Sequence, residues 1–442
     1  MTKKIIILGA GESGTGAAIL AKTKNYDVFV SDNSSIKKKY ADELKKFNIE
    51  YEENKHSLDK ILVADEIIKS PGIPESSEIM KQIRQKNIPV ISEIEFAARF
   101  TKAKMICITG SNGKTTTTLL TYEIFKNAGM NVALAGNIGN SFARQVATKD
   151  VDYYVLEISS FQLDDMYQFK ADTSILLNIT PDHLDRYHNN FLEYVNSKLR
   201  ISQNQDKNNT FIFNYDDKNI TQNLSKINAK KLPFSIEVVL DEGAFLENQM
   251  MKIKTKNDFF EMLASELSLK GKHNLYNSMA AALAAKAHDI KNPIIRKTLS
   301  TFQNIEHRLE KVLTIRGISF INDSKATNVN SVWYALETVE KNIILILGGI
   351  DKGNDYSIIK NLVEKKVKAI VALGTDNRKI INFFKNIVPV KETKSMTDAV
   401  MTAYKLADKG DTVLLSPACA SFDLFDNYID RGKQFKNAVK NL

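Results

Sequence analysis

Short apolar runs of four to seven residues recur along the chain, most followed by a glycine-rich or polar turn and then by apolar positions spaced near 3.6. This alternation predicts an α/β chain built from repeated strand, turn and helix units. In the first 93 residues, strands are expected at Ile5–Leu8, Asp27–Ser31, 49–52, 66–69 and 88–91, with helices after the glycine turn at 9–14 and over 36–47. A second block begins near residue 94, with strands at 104–109, 131–134, 153–157 and 174–178 alternating with helical segments in a mostly parallel sheet. Between 205 and 270 the pattern weakens to short strand candidates at Thr210–Asn214 and Leu267–Leu269, and the lysine, asparagine and glutamate content reads as peripheral surface. The alanine-rich helix 274–288 closes the block. From about 302 a third unit carries strands near 318–321, 342–347, 368–373 and 411–415, with helices near 328–339, 355–365, 396–408 and 421–438. At 442 residues the chain suits about three domains, expected at 1–93, 94–301 and 302–442. Trp333 is expected in a core.

The run from Met105 to Thr118, MICITGSNGKTTTT, sets a glycine turn, a lysine and a threonine directly after an apolar strand. Backbone N–H groups and a helix start in such a turn favour a polyphosphate, Lys114 can reach the β- and γ-phosphates, and the Thr115 hydroxyl can ligate Mg²⁺. The spacing Gly110-x-x-Gly113-Lys114-Thr115 is two residues tighter than the general phosphate-loop pattern and matches only its second half. Strand, turn and helix in register still favour ATP over an incidental helix start. A second turn, Gly9-Ala10-Gly11-Glu12-Ser13-Gly14 with Asp32 after the next strand, fits the dinucleotide fingerprint. It is open to three readings: a nucleotide-linked substrate, NAD or FAD, or architecture alone.

Other candidates sit where strands end. Glu157 closes the run Tyr153 to Leu156, a common place for a Mg²⁺ or water ligand. His183 lies in the polar cluster Asn178 to Arg186 after the strand at 174–178. Helical spacing marks Lys198 as a surface position, and Asn137 reads equally as a plain turn or a nucleotide neighbour. The segment Asn322 to Asn328 allows either an anion site or an ordinary helix cap. Arg308, Lys352 and Ser416 occur at comparable turns.

Composition narrows the function class. With 43% hydrophobic and 26% charged residues the chain can bury real cores and shows no low-complexity bias. The net charge of +9 is spread in short lysine pairs, which argues for a solvated surface and against nucleic acid. No apolar run reaches membrane-span length, and glycines interrupt the first one too early for a signal peptide, so a cytoplasmic protein is expected. Cys107 and Cys419 form no framework and are expected as buried small hydrophobes.

Six motifs occur together and in order: Thr109-Gly110-Ser111-Asn112-Gly113-Lys114-Thr115, Glu157 to Leu163, Thr180 to Arg186, His273-Asn274-x-x-Asn277, His307-Arg308 and Asp323 to Asn328. In this the chain resembles the Mur ligases of bacterial cell-wall synthesis, over essentially its whole length. Phe161-Gln162-Leu163 and the segment Ser416 to Asp423 are most similar to the D-glutamate-adding members. The resemblance implies a Rossmann-like N-terminal domain for a UDP moiety, a central ATPase domain of phosphate-loop type and a Rossmann-like C-terminal domain. It implies a monomeric ATP-dependent ligase joining D-glutamate to UDP-N-acetylmuramoyl-L-alanine through an acyl phosphate, with two Mg²⁺ ions. Gly110, Ser111, Asn112, Gly113, Lys114, Thr115, Thr116, Asn274, Asn277, Arg308, Asp323 and Lys325 would bind ATP. Thr115, Glu157, His183 and a carbamylated Lys198 would hold metal, and Lys114, Glu157, His183 and Lys198 would be catalytic. Ser13, Gly14, Thr15, Asp32, Ser70, Pro71, Gly72, Asn137 and Ser159 would meet the UDP substrate, and Thr327, Lys352, Ser416 and Phe422 the D-glutamate. Glu12, an acid in a phosphate-facing turn, is expected to point to solvent. No Asp-Asn-Pro-Arg motif favours a diaminopimelate- or lysine-adding relative.

Overall fold

The computed structural model describes residues 2–256, 258–302, 306–340 and 342–442. Three α/β domains are built on three sheets. The first sheet holds β1 (Lys4–Leu8), β2 (Asp27–Ser31), β3 (Glu50–Glu52), β4 (Glu66–Lys69) and β5 (Val90–Ser92), all parallel in the order β3-β2-β1-β4-β5. Ile5 to Leu8 are fully buried, which is why β1 reads as an unbroken apolar run. The central sheet runs β14-β13-β12-β11-β10-β9-β6-β8-β7. Its strands are β6 (Lys104–Thr109), β7 (Val132–Gly136), β8 (Tyr153–Glu157), β9 (Thr173–Leu176), β10 (Thr210–Asn214), β11 (Lys230–Ser235), β12 (Gly243–Glu247), β13 (Met250–Lys254) and β14 (Phe259–Leu263). The strand order reverses beside β1 in the first sheet and beside β6 in the central one, the switch points outside whose carboxyl ends open α/β sheets bind ligands.

The stretch 205–270 departs from expectation. It adds strands to the central sheet, the last three as an antiparallel meander. Phe260 and Met262 are buried on β14 while Phe259, Glu261 and Leu263 are exposed, a period of two that the abundant charges hide. Leu267–Leu269 is no strand; both leucines are buried in irregular chain after a short 3₁₀ turn.

The third sheet, ordered β15-β16-β20-β17-β18-β19, comprises β15 (Glu310–Ile315), β16 (Ile318–Asn322), β17 (Ile343–Gly348), β18 (Val367–Leu373), β19 (Val390–Thr393) and β20 (Thr412–Ala418). Only β15 is antiparallel. Trp333 packs against its core, and both cysteines are buried and free, as expected. The final helix begins at Tyr428, not near 421. Among the described residues no helix is long and apolar enough to cross a membrane.

The chain forms two compact units, one of residues up to Leu267 with Leu275–Thr301, the other of Ser268–Asn274 with Phe302–Leu442. Within the first unit, one core runs from Ile5 and Ile7 through Phe96 to Leu156 and Phe211. Buried carboxylates stitch its two sheets together. Glu95 accepts the N–H groups of Tyr167, Gln168 and Phe169 at 2.9–3.1 Å, and Lys69 pairs with Asp165 at 2.9 Å. Glu93 accepts the Ala143 N–H, its other oxygen is buried without a hydrogen-bond partner, and the Ser13 and Ser141 hydroxyls act on the carboxyl.

Burial, opposed by the Ala143 N–H and reinforced by the charge of Glu12, pushes the Glu93 carboxyl up from 4.5 to about 7. The folded chain therefore holds a proton that the unfolded chain releases. This contribution, on the order of 3 kcal/mol, is complete below the unfolded value and is lost as pH rises through about 7. Glu93→Gln should flatten the fall in the first unit's melting temperature between about pH 5 and 8; an unchanged slope would refute the assignment.

Candidate functional site

Helix Lys114–Asn127 starts where β6 ends, and the intervening turn is shaped by two glycines. Gly113 holds φ +84° as the helix N-cap, and a Cβ there would lie 2.4 Å from Asn277 Oδ1, so no other residue fits without displacement. The turn is laced to the segment after β9. The Asn112 N–H donates to Asn178 Oδ1 at 2.8 Å, and Asn178 Nδ2 returns a bond to the Asn112 carbonyl at 3.1 Å. Ser111 Oγ donates to the Thr180 carbonyl, accepts the Thr180 N–H and meets the Tyr194 hydroxyl at 3.1 Å. Lys114 Nζ curls over the turn to the carbonyls of Gly110 and Ser111 at 2.7 and 2.9 Å. Thr115 and Thr116 are buried in the first helical turn, and Thr117 Oγ1 donates to Asn277.

Beside this turn stands Glu157 at the tip of β8, almost fully buried. Its Oε1 accepts Asn137 Nδ2 at 2.8 Å, while Oε2 is buried with no hydrogen-bond partner. Gly136 lets β7 approach so closely that a Cβ would fall 2.2 Å from the Glu157 carbonyl. Lys198 does not lie on the surface as helical spacing suggested; it is 1% exposed, with its ammonium 4.8 Å from the Tyr194 ring centre. Burial, and then the positive charge of Lys114, press its pKa well below the ordinary lysine value, against the pull of Asp182, Asp164 and Glu157. His183 adopts φ +54° at the head of a 3₁₀ turn, 3.7 Å from Asp182 and edge-on to Phe161.

A hydroxyl from Thr115, the orphaned oxygen of Glu157 and a neutral-prone lysine among carboxylates fit a divalent cation beside phosphates. Among the described residues no group of three or more His, Cys, Asp or Glu is placed to hold a metal ion by itself. Ser159 caps helix Ser160–Asp164 in a capping box, accepting the Gln162 N–H and donating to the Gln162 side-chain oxygen.

In the first domain, a cavity of about 760 Å³ opens over the 9–14 turn and is bordered by Ser13, Asp32, Ser70 and Gly72. Gly14 and Thr15 are buried beneath the turn; a Cβ on Gly14 would lie 1.8 Å from the Gly9 carbonyl. Asp32 braces the turn by accepting the Ala10 N–H at 2.7 Å. Pro71 turns its carbonyl to Arg186 of the His183 segment. His56, Leu58 and Ile79 also line the cavity, and they carry no signal in the sequence because they lie on irregular chain or short helices. Glu12 does not face open solvent: Arg144 and the Ser141 N–H hold its carboxylate.

In the second unit, the remaining candidates other than Asn274 lie near the carboxyl ends of β16, β17 and β20. Asp323 accepts Ser416 Oγ at 2.8 Å and the Leu309 N–H at 3.2 Å. Burial, opposed by Arg308, pushes Asp323 up to about 7. Arg308 sits between His307 and Leu309, both at positive φ, and its Nε is buried without a partner. Lys325 Nζ lies 5.4 Å from the Tyr428 ring centre, Asn328 caps helix Val329–Thr338, and Thr327 is half-buried between them. Lys352 and Phe422 stand exposed, Phe422 at 70%. Asn274 Nδ2 donates to the Lys270 carbonyl. Arg431 was missed: buried in the last helix, it binds both oxygens of Ser324 and the Cys419 carbonyl.

Three family models match in chain order: MurD N-terminal domain over residues 4–79, Mur ligase middle domain over 108–285 and Mur ligase, glutamate ligase domain over 307–419. The chain is 56% identical over 446 aligned positions to the UDP-N-acetylmuramoylalanine--D-glutamate ligase of Bacteroides fragilis, covering all of both chains. It is 54% identical to the protein of that name from Christiangramia forsetii, again over the full length of both. The crystal structure of the UDP-N-acetylmuramate-alanine ligase of Thermotoga maritima shares the fold across both chains, with a TM-score of 0.64 at 16% identity. The glycine turn between β6 and its helix, the carboxylate at the tip of β8 and this end-to-end similarity agree, and the similarity establishes that the chain belongs to the Mur ligase family, in its UDP-N-acetylmuramoylalanine--D-glutamate ligase branch.

Proposed function

We infer that this enzyme is an ATP-dependent ligase that adds D-glutamate to UDP-N-acetylmuramoyl-L-alanine in peptidoglycan precursor synthesis. The reading is carried by the convergence of Lys114, Glu157 and Lys198 on one phosphate turn, in a chain similar over its whole length to D-glutamate ligases. The γ-phosphoryl group passes from ATP to the terminal carboxylate of the substrate, giving ADP and an acyl phosphate. The D-glutamate amine then attacks the acyl carbon, the tetrahedral adduct expels phosphate, and the amine proton leaves to solvent or base.

Each domain has a separate task in this scheme, with 1–93 and 302–442 as Rossmann-like domains and 94–301 as the ATPase. The 9–14 turn with Asp32, Ser70, Pro71 and Gly72 receives UDP. Ser13, Gly14 and Thr15 contribute through backbone, since the Ser13 hydroxyl and the Thr15 side chain are buried. Gly110 to Thr116 cradle the phosphates, and Lys114 exchanges its two carbonyl contacts for phosphate oxygens. Asn274, Asn277, Arg308, Asp323 and Lys325 serve the rest of the nucleotide. Thr327, Lys352, Ser416 and Phe422 receive D-glutamate, and Asn137 and Ser159 border the acceptor end. Two Mg²⁺ ions, held by Thr115, Glu157, His183 and Lys198, would neutralise charge on the transferring phosphoryl group. Lys198 joins this set as a carbamate: burial favours its neutral amine, which adds to CO₂ with loss of one proton and becomes an anion.

Phosphate release in the presence of ATP, Mg²⁺ and UDP-N-acetylmuramoyl-L-alanine should depend on D-glutamate and match amide formation. Dependence on L-lysine or diaminopimelate, or release without an acceptor amine, would overturn the specificity. Lys198→Ala should lower turnover by at least about a thousandfold without rescue by excess bicarbonate. After incubation with ¹³C-bicarbonate, the wild type should show a carbamate carbon that Lys198→Ala lacks; an identical spectrum would remove the carbamate.

A further inference from the structure

Glu12 is the first residue of helix Glu12–Thr23 and borders the cavity over the 9–14 turn. A carboxylate there suits the helix dipole but repels a diphosphate seeking the same N–H groups. The structure resolves this conflict with a residue from the central domain. Arg144 Nε donates to Glu12 Oε1 at 2.8 Å, Nη2 reaches Oε2 at 3.5 Å, and the same Nη2 pairs with Glu43 at 2.8 Å. The Ser141 N–H adds a 3.1 Å bond to Oε1. The Arg144 side chain is 17% exposed, so the pair is screened less than a surface bridge.

Its geometry is fixed by close packing. A Cβ on Gly16 would lie 1.9 Å from Ser141 Oγ and 3.2 Å from Arg144 Cβ, so helix Glu12–Thr23 lies directly against helix Phe142–Thr148. Ser141 caps the latter helix by accepting the Arg144 N–H, which orients the arginine at its start. Glu43 keeps the guanidinium between two acids, so its charge is shared and does not bind the incoming diphosphate outright.

We propose that Arg144 is a positioning residue for the UDP-linked substrate: it draws the Glu12 carboxylate aside and neutralises it, leaving the turn open to a nucleoside diphosphate. This rests on the reading that the first-domain cavity receives UDP.

The test uses UDP alone as the calorimetric ligand and the full enzyme for kinetics. Arg144→Met should weaken UDP binding and raise KM for the UDP substrate by about tenfold or more, with kcat and the KM for ATP within about twofold. Adding Glu12→Gln to Arg144→Met should restore UDP binding to within about threefold of the wild type. A role in domain docking alone predicts no such rescue, and an unrescued double variant overturns the proposal. Glu12→Gln by itself, which leaves Arg144 in place, should bind UDP at least as tightly as the wild type, and weaker binding also overturns it. Failure of the wild type to bind UDP at all would instead remove the reading of the cavity.

Discussion

The reciprocal pair of hydrogen bonds between Asn112 and Asn178 is the constraint on which the site depends. A phosphate-binding turn must keep its backbone donors pointed outward, which leaves few groups to hold it in shape. Asn178, at the end of the neighbouring strand, holds Asn112 from one side, and Ser111 binds Thr180 on the other. The helix after the turn is then fixed through Thr117 and Asn277. Glu157, Lys114 and Lys198 meet because the strands that carry them are neighbours of β6 or feed segments packed on it.

The chemistry at this point is one of crowded charge. Lys198 and Lys114 repel each other, Glu157 has an oxygen without a partner, and Asp164 and Asp182 stand close enough to act on Lys198. Such an arrangement is electrostatically costly in the folded protein as it stands. The same logic recurs at Asp323 and Arg308, where a raised carboxyl and a buried guanidinium nitrogen without a partner stand at the end of β16.

Much of this was legible in the sequence. The buried parallel strands announce themselves because both faces are apolar, and the glycine turns because positive φ and close approach demand glycine. What stayed hidden depends on contacts far apart in sequence. Lys198 reads as a surface residue since periodicity cannot report the acids and aromatic ring that surround it. Glu12 reads as solvent-facing because its partner, Arg144, lies 132 positions away. The meander at β12 to β14 was masked by charged residues on its outward face, and Arg431 by sharing its helix with the exposed Lys433 and Lys440.

The shared core of the first two sheets bears on how the protein could be divided. Residues 1–93 have their own sheet and their own cavity, yet Ile5, Ile7, Ala17 and Leu20 share one core with Phe96, Leu156 and Phe211 of the central domain. Glu93 and Glu95, on either side of that boundary, find their partners in backbone beyond residue 140. A fragment cut at this point would expose an apolar face and leave its acids unmatched. For recombination between relatives the transferable piece is therefore the first two domains as a pair, with any exchange of the first domain alone needing matched residues at 93–95, 141–144 and 165–169.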